Sequence, residues 1–424
     1  MFDYDARPVT PQVILAGTHA SAAAYAIRDF LTRNGRPYDW VDVDQPGADL
    51  LHVEKIDASR LPLCVLPDGT RLESATVEQV AAGLGMVSAP LLAEYDLTIV
   101  GAGPAGLAAA LYAASEGLRT VVIEAVAPGG QAGTTSMIEN YLGFPDGVSG
   151  NELATRAAVQ ARRFGAEILL ARHLIGISSD GVGYLSTLSD RTVVRGRALL
   201  VATGVEWRRL DASGIDRLLG AGVYYGAGPS EALACSGSSV VIVGGGNSAG
   251  QAALRFSRYA RLVTVLVRGE RLAASMSQYL IDRISSVGNI VVRTGVHVAA
   301  ADGDGRLREL VVASGEGDVS ERLPADALFI AIGGIPRTEA AGRLGIVHDE
   351  GGYLMTGSDL ASAPGLLGGW PLQRQPLPLE TNLPGLFAAG DVRHGSVKRC
   401  SAAIGEAAMA VALVHRRLAE VGSG

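Results

Sequence analysis

Three glycine-rich strings carry the clearest chemical potential in this chain. The first is Gly101-Ala102-Gly103-Pro104-Ala105-Gly106. A G-x-G-x-x-G string can bind a dinucleotide when a strand precedes it, a helix follows, and an acid stands about 20 residues further on. All three conditions are met: an apolar run at 97–100, a helical stretch at 104–115, and Glu124 closing a second apolar run at 120–123. In such a site Gly101 permits a tight turn. Gly103 lets the backbone approach a pyrophosphate at the helix N-terminus, with Pro104 and Ala105 as its first residues. Gly106 lets helix and strand pack closely, and Glu124 can accept ribose hydroxyls.

The second string, Gly244-Gly245-Gly246-Asn247-Ser248-Ala249, is the G-x-G-x-x-A variant and follows the run 240–243. The next strand, 262–267, ends in Arg268 with Arg271 close behind, not in an acid. An acid there favours NAD, whereas a cation favours the 2′-phosphate of NADP through a charge-assisted bond. NADPH is the first expectation. NADH stays open, because two solvated arginines at a strand end would look the same. The third string, Gly390-Asp391, closes the apolar run 386–389.

Cysteine is sparse. Cys64, Cys235 and Cys400 are far apart, and no CxxC exists, so neither a disulfide framework nor a cysteine-rich metal site is expected. The seven histidines show no metal spacing. His19 and His394 are the two near expected sites; His394 could relay a proton or stand on the surface.

These strings need strands and helices to hold them. Glycine makes up 55 of 424 residues, about twice the usual share, so it must serve turns and close approaches. With 48% apolar and 19% charged residues the chain is folded and has a large core. The net charge of −7 argues against nucleic acid or an anionic membrane as the main partner. No apolar run approaches the ~20 residues of a spanning helix. The segment MFDYDARPVT lacks a signal layout, so cytoplasm is the default expectation.

Before residue 92 the pattern predicts a strand at 13–15, a helix at 20–33, a strand at 40–43, a strand at 61–66 running into the Asp68-Gly69 turn, and a helix at 77–84. Ser88-Ala89-Pro90 reads as a linker. This order resembles a thioredoxin or glutaredoxin fold, with Pro62 where that family carries its cis-proline. Thr18-His19-Ala20-Ser21 stands where its CxxC would begin, so the block is expected to be redox-inert.

From about residue 94 onward the chain resembles the bacterial thioredoxin reductases. Pro128-Gly129-Gly130-Gln131 and the following 138–145, IENYLGFP, resemble their flavin-facing segment, and 385–392, GLFAAGDV, resembles their second FAD motif. Ala202-Thr203-Gly204 and Ala331-Ile332-Gly333 sit at the two crossovers between that family's domains. The resemblance implies an α/β fold of two nested doubly wound, Rossmann-like domains. An FAD domain would span 94–206 and 328–424 and an NAD(P)H domain 207–327, with the thioredoxin-like domain at 1–90.

The resemblance also implies that Gly130, Gln131, Asn140, Thr203, Gly204, Gly390 and Asp391 contact FAD, with Asp391 on the ribityl chain. Glu139 reads rather as a surface or capping acid. Arg399, Cys400 and Ser401 fall where the family's backbone borders the flavin ring. Gly244, Gly246, Asn247, Ser248, Ala249, Arg268 and Arg271 would hold the nicotinamide nucleotide. The family's dithiol falls by register on Gly226 and Pro229, and its following aspartate on Ser230. Neither Gly226 nor Pro229 can carry electrons.

No obligatory catalytic side chain emerges. Candidates are Cys400, whose neighbours Lys398 and Arg399 are expected to lower its pKa, Tyr225 beside the missing dithiol, and His394. Tyr224, Cys235 and Trp370 read first as packing residues. The expected activity is hydride transfer from NADPH to FAD and on to an unidentified acceptor, a small molecule or a redox protein, in a homodimer. An FAD oxidase acting on a small molecule or thiol, and a non-enzymatic flavin-binding sensor or scaffold, stay open.

Overall fold

A computed structural model describes residues 12–18, 21–43, 58–134, 138, 141–219, 221–225, 232, 235–315, 320–339, 344–362 and 370–422. The N-terminal block holds β1 (Val13–Gly17), α1 (Ala22–Arg33), β2 (Tyr38–Asp42), β3 (Leu63–Val65), β4 (Arg71–Leu72) and α2 (Val77–Gly83). Ser21 caps α1 by accepting from the Ala24 amide, and Ala24, Ile27, Phe30 and Leu31 form its buried stripe at 3.6-residue spacing. Thr76 and Gln79 close a capping box on α2. The sheet runs β2-β1-β3-β4, with β1 and β2 parallel and β3 and β4 antiparallel additions. The Leu61–Pro62 peptide is cis.

Next come β5 (Tyr95–Val100), α3 (Pro104–Ser115), β6 (Thr120–Ile123), α4 (Gly150–Arg163), β7 (Glu167–Leu169), β8 (Leu174–Ser179), β9 (Tyr184–Leu188) and β10 (Val193–Val201). The next stretch contains β11 (Val205–Trp207), β12 (Val223–Tyr225), β13 (Ser239–Val243), α5 (Asn247–Phe256), β14 (Leu262–Val267), α6 (Gln278–Ser285) and β15 (Ile290–Thr294). It continues through β16 (Val296–Asp302), β17 (Glu309–Ser314), β18 (Ser320–Pro324), β19 (Ala327–Ile330) and β20 (Gly334–Pro336). The chain closes with β21 (Leu386–Ala388) and α7 (Cys400–Gly422).

The chain divides into two compact units, 1–134 with 139–204 and 336–424, and 135–138 with 205–335. In the first unit β7-β6-β5-β10 run parallel. The nine-residue β10 then pairs antiparallel with β9 along its first half and parallel with β21 along its second. One face of this sheet is covered by α3 and α7, whose alanines and Leu107, Val411 and Val414 pack on Leu97, Ile99 and Leu200. Small residues are what allow two helices and a strand to approach that closely.

The second unit repeats the plan. A parallel sheet, β12-β19-β13-β14-β15, carries α5 and α6, and β16-β17-β18 form an antiparallel sheet. The sequence reading places residues from 328 onward in the same domain as 94–206. In the structure β19 lies between β12 and β13, and the boundary falls after Ile335. The four apolar residues of β19 are all buried, as a central parallel strand requires.

Candidate functional site

The first glycine string lies between β5 and α3. Gly101 has φ +100°, and a Cβ there would stand 2.5 Å from the Ala202 carbonyl oxygen. A Cβ on Gly106 would stand 1.8 Å from the Gly101 oxygen, so helix and turn close only around glycine. Gly103, the N-cap of α3, makes no side-chain cap, and a Cβ there would meet only the Gly130 Cα at 3.9 Å. The backbone is therefore open at the helix N-terminus, where the unpaired N–H groups and helix dipole favour an anion. This is the fit expected for a pyrophosphate-bearing group.

Glu124 is nearly buried at the end of β6. One oxygen accepts from the Ala102 amide at 2.7 Å, and the other from the Val126 and Ala127 amides at 2.8 and 3.2 Å. The acid thus also ties the glycine turn to the loop after β6. Its lone-pair capacity leaves room for ribose hydroxyls as well.

The loop at 128–134 folds back onto this turn. The Gly129 amide donates to the Ala102 oxygen at 2.7 Å, and a Cβ on Gly130 would lie 3.0 Å from the Gly103 Cα. The Gln131 carbonyl accepts from the Thr134 hydroxyl and amide. Gly390, with φ +78°, brings the third string to the same place: a Cβ there would lie 3.1 Å from the Ala105 Cβ. Glu406 on α7 holds the Gly390 amide at 2.7 Å and Arg393 at 2.6 Å. Sequence reasoning missed Glu406, which has no local signature.

Burial pushes the Asp391 carboxyl up, against the pull of Lys398 and with the push of Glu406. Lys398 donates to the Asp391 carbonyl at 2.6 Å and to Ser396, and lies 4.3 Å from the centre of the Tyr353 ring. Thr203 donates to the Arg337 carbonyl at 2.6 Å, and the Arg337 amide donates to Gly204, which fixes the end of β10.

Cys400 opens α7, next to Arg399 and Ser401. Its expected pKa depression is not found. Burial pushes the thiol up, and the nearby Asp391 carboxylate adds to that. The two neighbouring cations do not offset these effects, and Lys398 turns to Asp391, Ser396 and Tyr353 instead. His394 is neither a bare surface residue nor a free relay. Its Nδ1 pairs with the Asp349 carboxylate at 2.6 Å.

The second string repeats the geometry. A Cβ on Gly244 would meet the Ala331 oxygen at 2.3 Å, while one on Gly246, the N-cap of α5, would meet only the Ser275 oxygen at 3.9 Å. Asn247 accepts from the Ser277 amide at 2.7 Å, and Ser275 donates to the Gly245 carbonyl at 2.9 Å, so the segment before α6 lies over the turn. Ser248 lies in the first turn of α5, and Ala249 is fully buried beneath it. Arg268 and Arg271 are exposed beyond the end of β14, and among the described residues neither forms an ion pair. Two unpaired guanidiniums at this strand end suit a phosphate.

Tyr225 is placed as a packing residue: its hydroxyl accepts from the Leu210 amide at 2.9 Å. Tyr224 stacks on Phe329 at 5.2 Å. Trp370 donates to the Arg374 carbonyl and closes its own loop. Cys64 and Cys235 are buried, and burial pushes the Cys64 thiol up to about 12. Asn140, Glu139, His19, Gly226, Pro229 and Ser230 lie outside the described residues. Among the described residues, no group of His, Cys, Asp and Glu could hold a metal ion, and no helix is long and apolar enough to cross a membrane.

The family model described as "Pyridine nucleotide-disulphide oxidoreductase" matches residues 95–407. A thioredoxin reductase of Listeria innocua is 36% identical over 74% of this chain and 91% of its own length. One from Streptomyces clavuligerus is 35% identical over 76% of this chain and 94% of its own. The crystal structure of Lactococcus lactis thioredoxin reductase superposes with a TM-score of 0.60 at 26% identity, covering 77% of this chain and 99% of that one.

Proposed function

The chain belongs to the pyridine nucleotide-disulphide oxidoreductase family and is an NAD(P)H-dependent flavin oxidoreductase, and we propose that it passes electrons from NADPH through FAD to an acceptor without a protein dithiol. Thioredoxin reductases of this family bind FAD and NADPH. Two cradles of the same build, followed by charges of opposite sign, support a division of labour. The first, ending in buried Glu124, is the FAD site. The second, ending in exposed Arg268 and Arg271, is the NADPH site.

When bound, FAD would supply the redox chemistry, as hydride acceptor and electron donor. The side chains position. Gly103 leaves α3 open to the pyrophosphate, Glu124 receives ribose hydroxyls, and Asp391, which follows the Gly390 that packs on Ala105, holds the ribityl chain. Gly130 and Gln131 border the flavin. Arg268 and Arg271 select the 2′-phosphate.

The observation that carries the dithiol-free reading is the cysteine set. Its three members are scattered, and the two positions matching the family's dithiol are Gly226 and Pro229. The acceptor is a redox protein or a small oxidised molecule. The N-terminal block is a thioredoxin-like domain without its redox pair, as its strand order β2-β1-β3-β4 supports. The resemblance implies a homodimer, and cytoplasm stays the default location.

Anaerobic stopped-flow mixing of the FAD-loaded protein with NADPH and with NADH tests the reading. Bleaching of the flavin within turnover time, faster with NADPH, is expected. No bleaching with either nucleotide overturns it. Poor bleaching with peroxide release on another substrate would mark an oxidase instead.

A further inference from the structure

The N-terminal block lies outside the segment that matches the family, yet it reaches the loop assigned to the flavin. Arg33, the last residue of α1, donates through Nη2 to the Gly130 carbonyl at 2.9 Å across 97 positions of sequence. Asn34 donates to the Val126 carbonyl at 3.1 Å, and Arg172 donates to Ser88 at 2.8 Å. The apolar cluster of the block, built on Ile27, Phe30, Leu31 and Cys64, extends to Val126 and Ala171. The block is thus fixed to the loops after β6 and β7 by both apolar and polar contacts.

Arg33 differs from the other anchors in what it holds. Its side chain is largely buried, its ion pair with Asp29 is long at 3.5 Å, and its buried Nε has no hydrogen-bond partner among the described residues. Its short bond is given to a backbone carbonyl whose residue packs on Gly103. In a trans peptide the carbonyl and the following N–H point in opposite directions. Holding the Gly130 oxygen toward α1 therefore sets the plane of the Gly130–Gln131 peptide and turns the Gln131 N–H to the other side.

We propose that Arg33 is a positioning residue for FAD, through which the N-terminal block sets the peptide that borders the flavin. The role rests on the assignment of the first cradle to FAD. It gives a redox-inert domain a function within the flavin site and requires no electron transfer through that domain.

The test uses the full-length protein. Arg33→Met keeps the stem and removes the donor, Arg33→Lys restores a cationic donor, and Asn34→Ala removes a docking bond that does not touch Gly130. Each is examined for FAD release rate, for the visible circular dichroism of bound flavin, and for melting temperature. Arg33→Met is expected to release FAD roughly threefold to tenfold faster, less than the loss of a direct charged hydrogen bond to the ligand, because Arg33 acts through the Gly130–Gln131 peptide. Its flavin dichroism should change, Arg33→Lys should recover part of both, and Asn34→Ala should leave the dichroism as in the parent. Unchanged release and dichroism in Arg33→Met overturn the proposal. So does an equal change in Asn34→Ala, which would mark mere docking. Glu124→Gln serves as the control for the underlying assignment. If it weakens FAD while Arg33→Met does not, only the positioning role fails; if it leaves FAD untouched, the assignment fails and takes the role with it.

Discussion

At the scale of single residues, charge and burial decide what each candidate does. Arg268 is exposed beyond β14 and makes no ion pair among the described residues, so its guanidinium is available to a phosphate at small desolvation cost. Arg268→Ala should raise the KM for NADPH roughly tenfold to a hundredfold, the size of a lost charge-assisted bond, and leave that for NADH within about twofold. Equal effects on both nucleotides would refute the phosphate role. Cys400 shows the limit of reading charge from sequence neighbours. Lys398 and Arg399 flank it, yet burial and Asp391 raise its pKa. The thiolate is the reactive form, so at pH 8 a smaller fraction is reactive than in a free thiol, and that fraction grows only as pH rises past the usual thiol range. Alkylation of Cys400 by iodoacetamide should therefore be slower than that of glutathione at pH 8 and should still be climbing at pH 9.5. A rate already level at pH 8 would contradict the burial argument.

At the scale of elements, the strand–glycine–helix units were legible because every part of them is local. The helix at 104–115 and the strand at 262–267 were placed to the residue, and α1 and α2 to within two residues. What sequence did not show is long-range. The Arg33–Gly130 bond and the Glu406–Gly390 bond join residues with no shared pattern, and the place of β19 depends on pairing, not on its own composition. The glycine turn itself makes a sharp prediction. Gly106→Ala would drive a Cβ to 1.8 Å from the Gly101 oxygen, so the variant should purify with little or no FAD, read as a low ratio of absorbance at about 450 nm to that at 280 nm. Full flavin content in it would show that α3 can shift away. The loop leading to β21 depends on another long-range contact. Arg374 bonds both oxygens of fully buried Glu380, which also takes the Leu377 and Gly385 amides, and reaches Glu420 on α7. Arg374→Ala leaves that carboxylate without its cation and should cost about 3 kcal/mol, seen as a clearly lowered melting temperature.

At the scale of the whole molecule, two units of one plan each present a glycine cradle, and the first also carries a domain outside the family match. The duplication explains why the fold was readable from two fingerprints. The N-terminal block was readable as an α/β pattern, but its contact with Val126 and Gly130 after β6 was not. The central claim is that the electrons pass through FAD with no protein disulfide beside it. A flavin and a disulfide together would take up four electrons, two in each, whereas a flavin alone takes up two. Anaerobic titration of the FAD-loaded protein with dithionite counts them directly. The account predicts an end point at about two electrons per FAD. An end point near four electrons per FAD would contradict it.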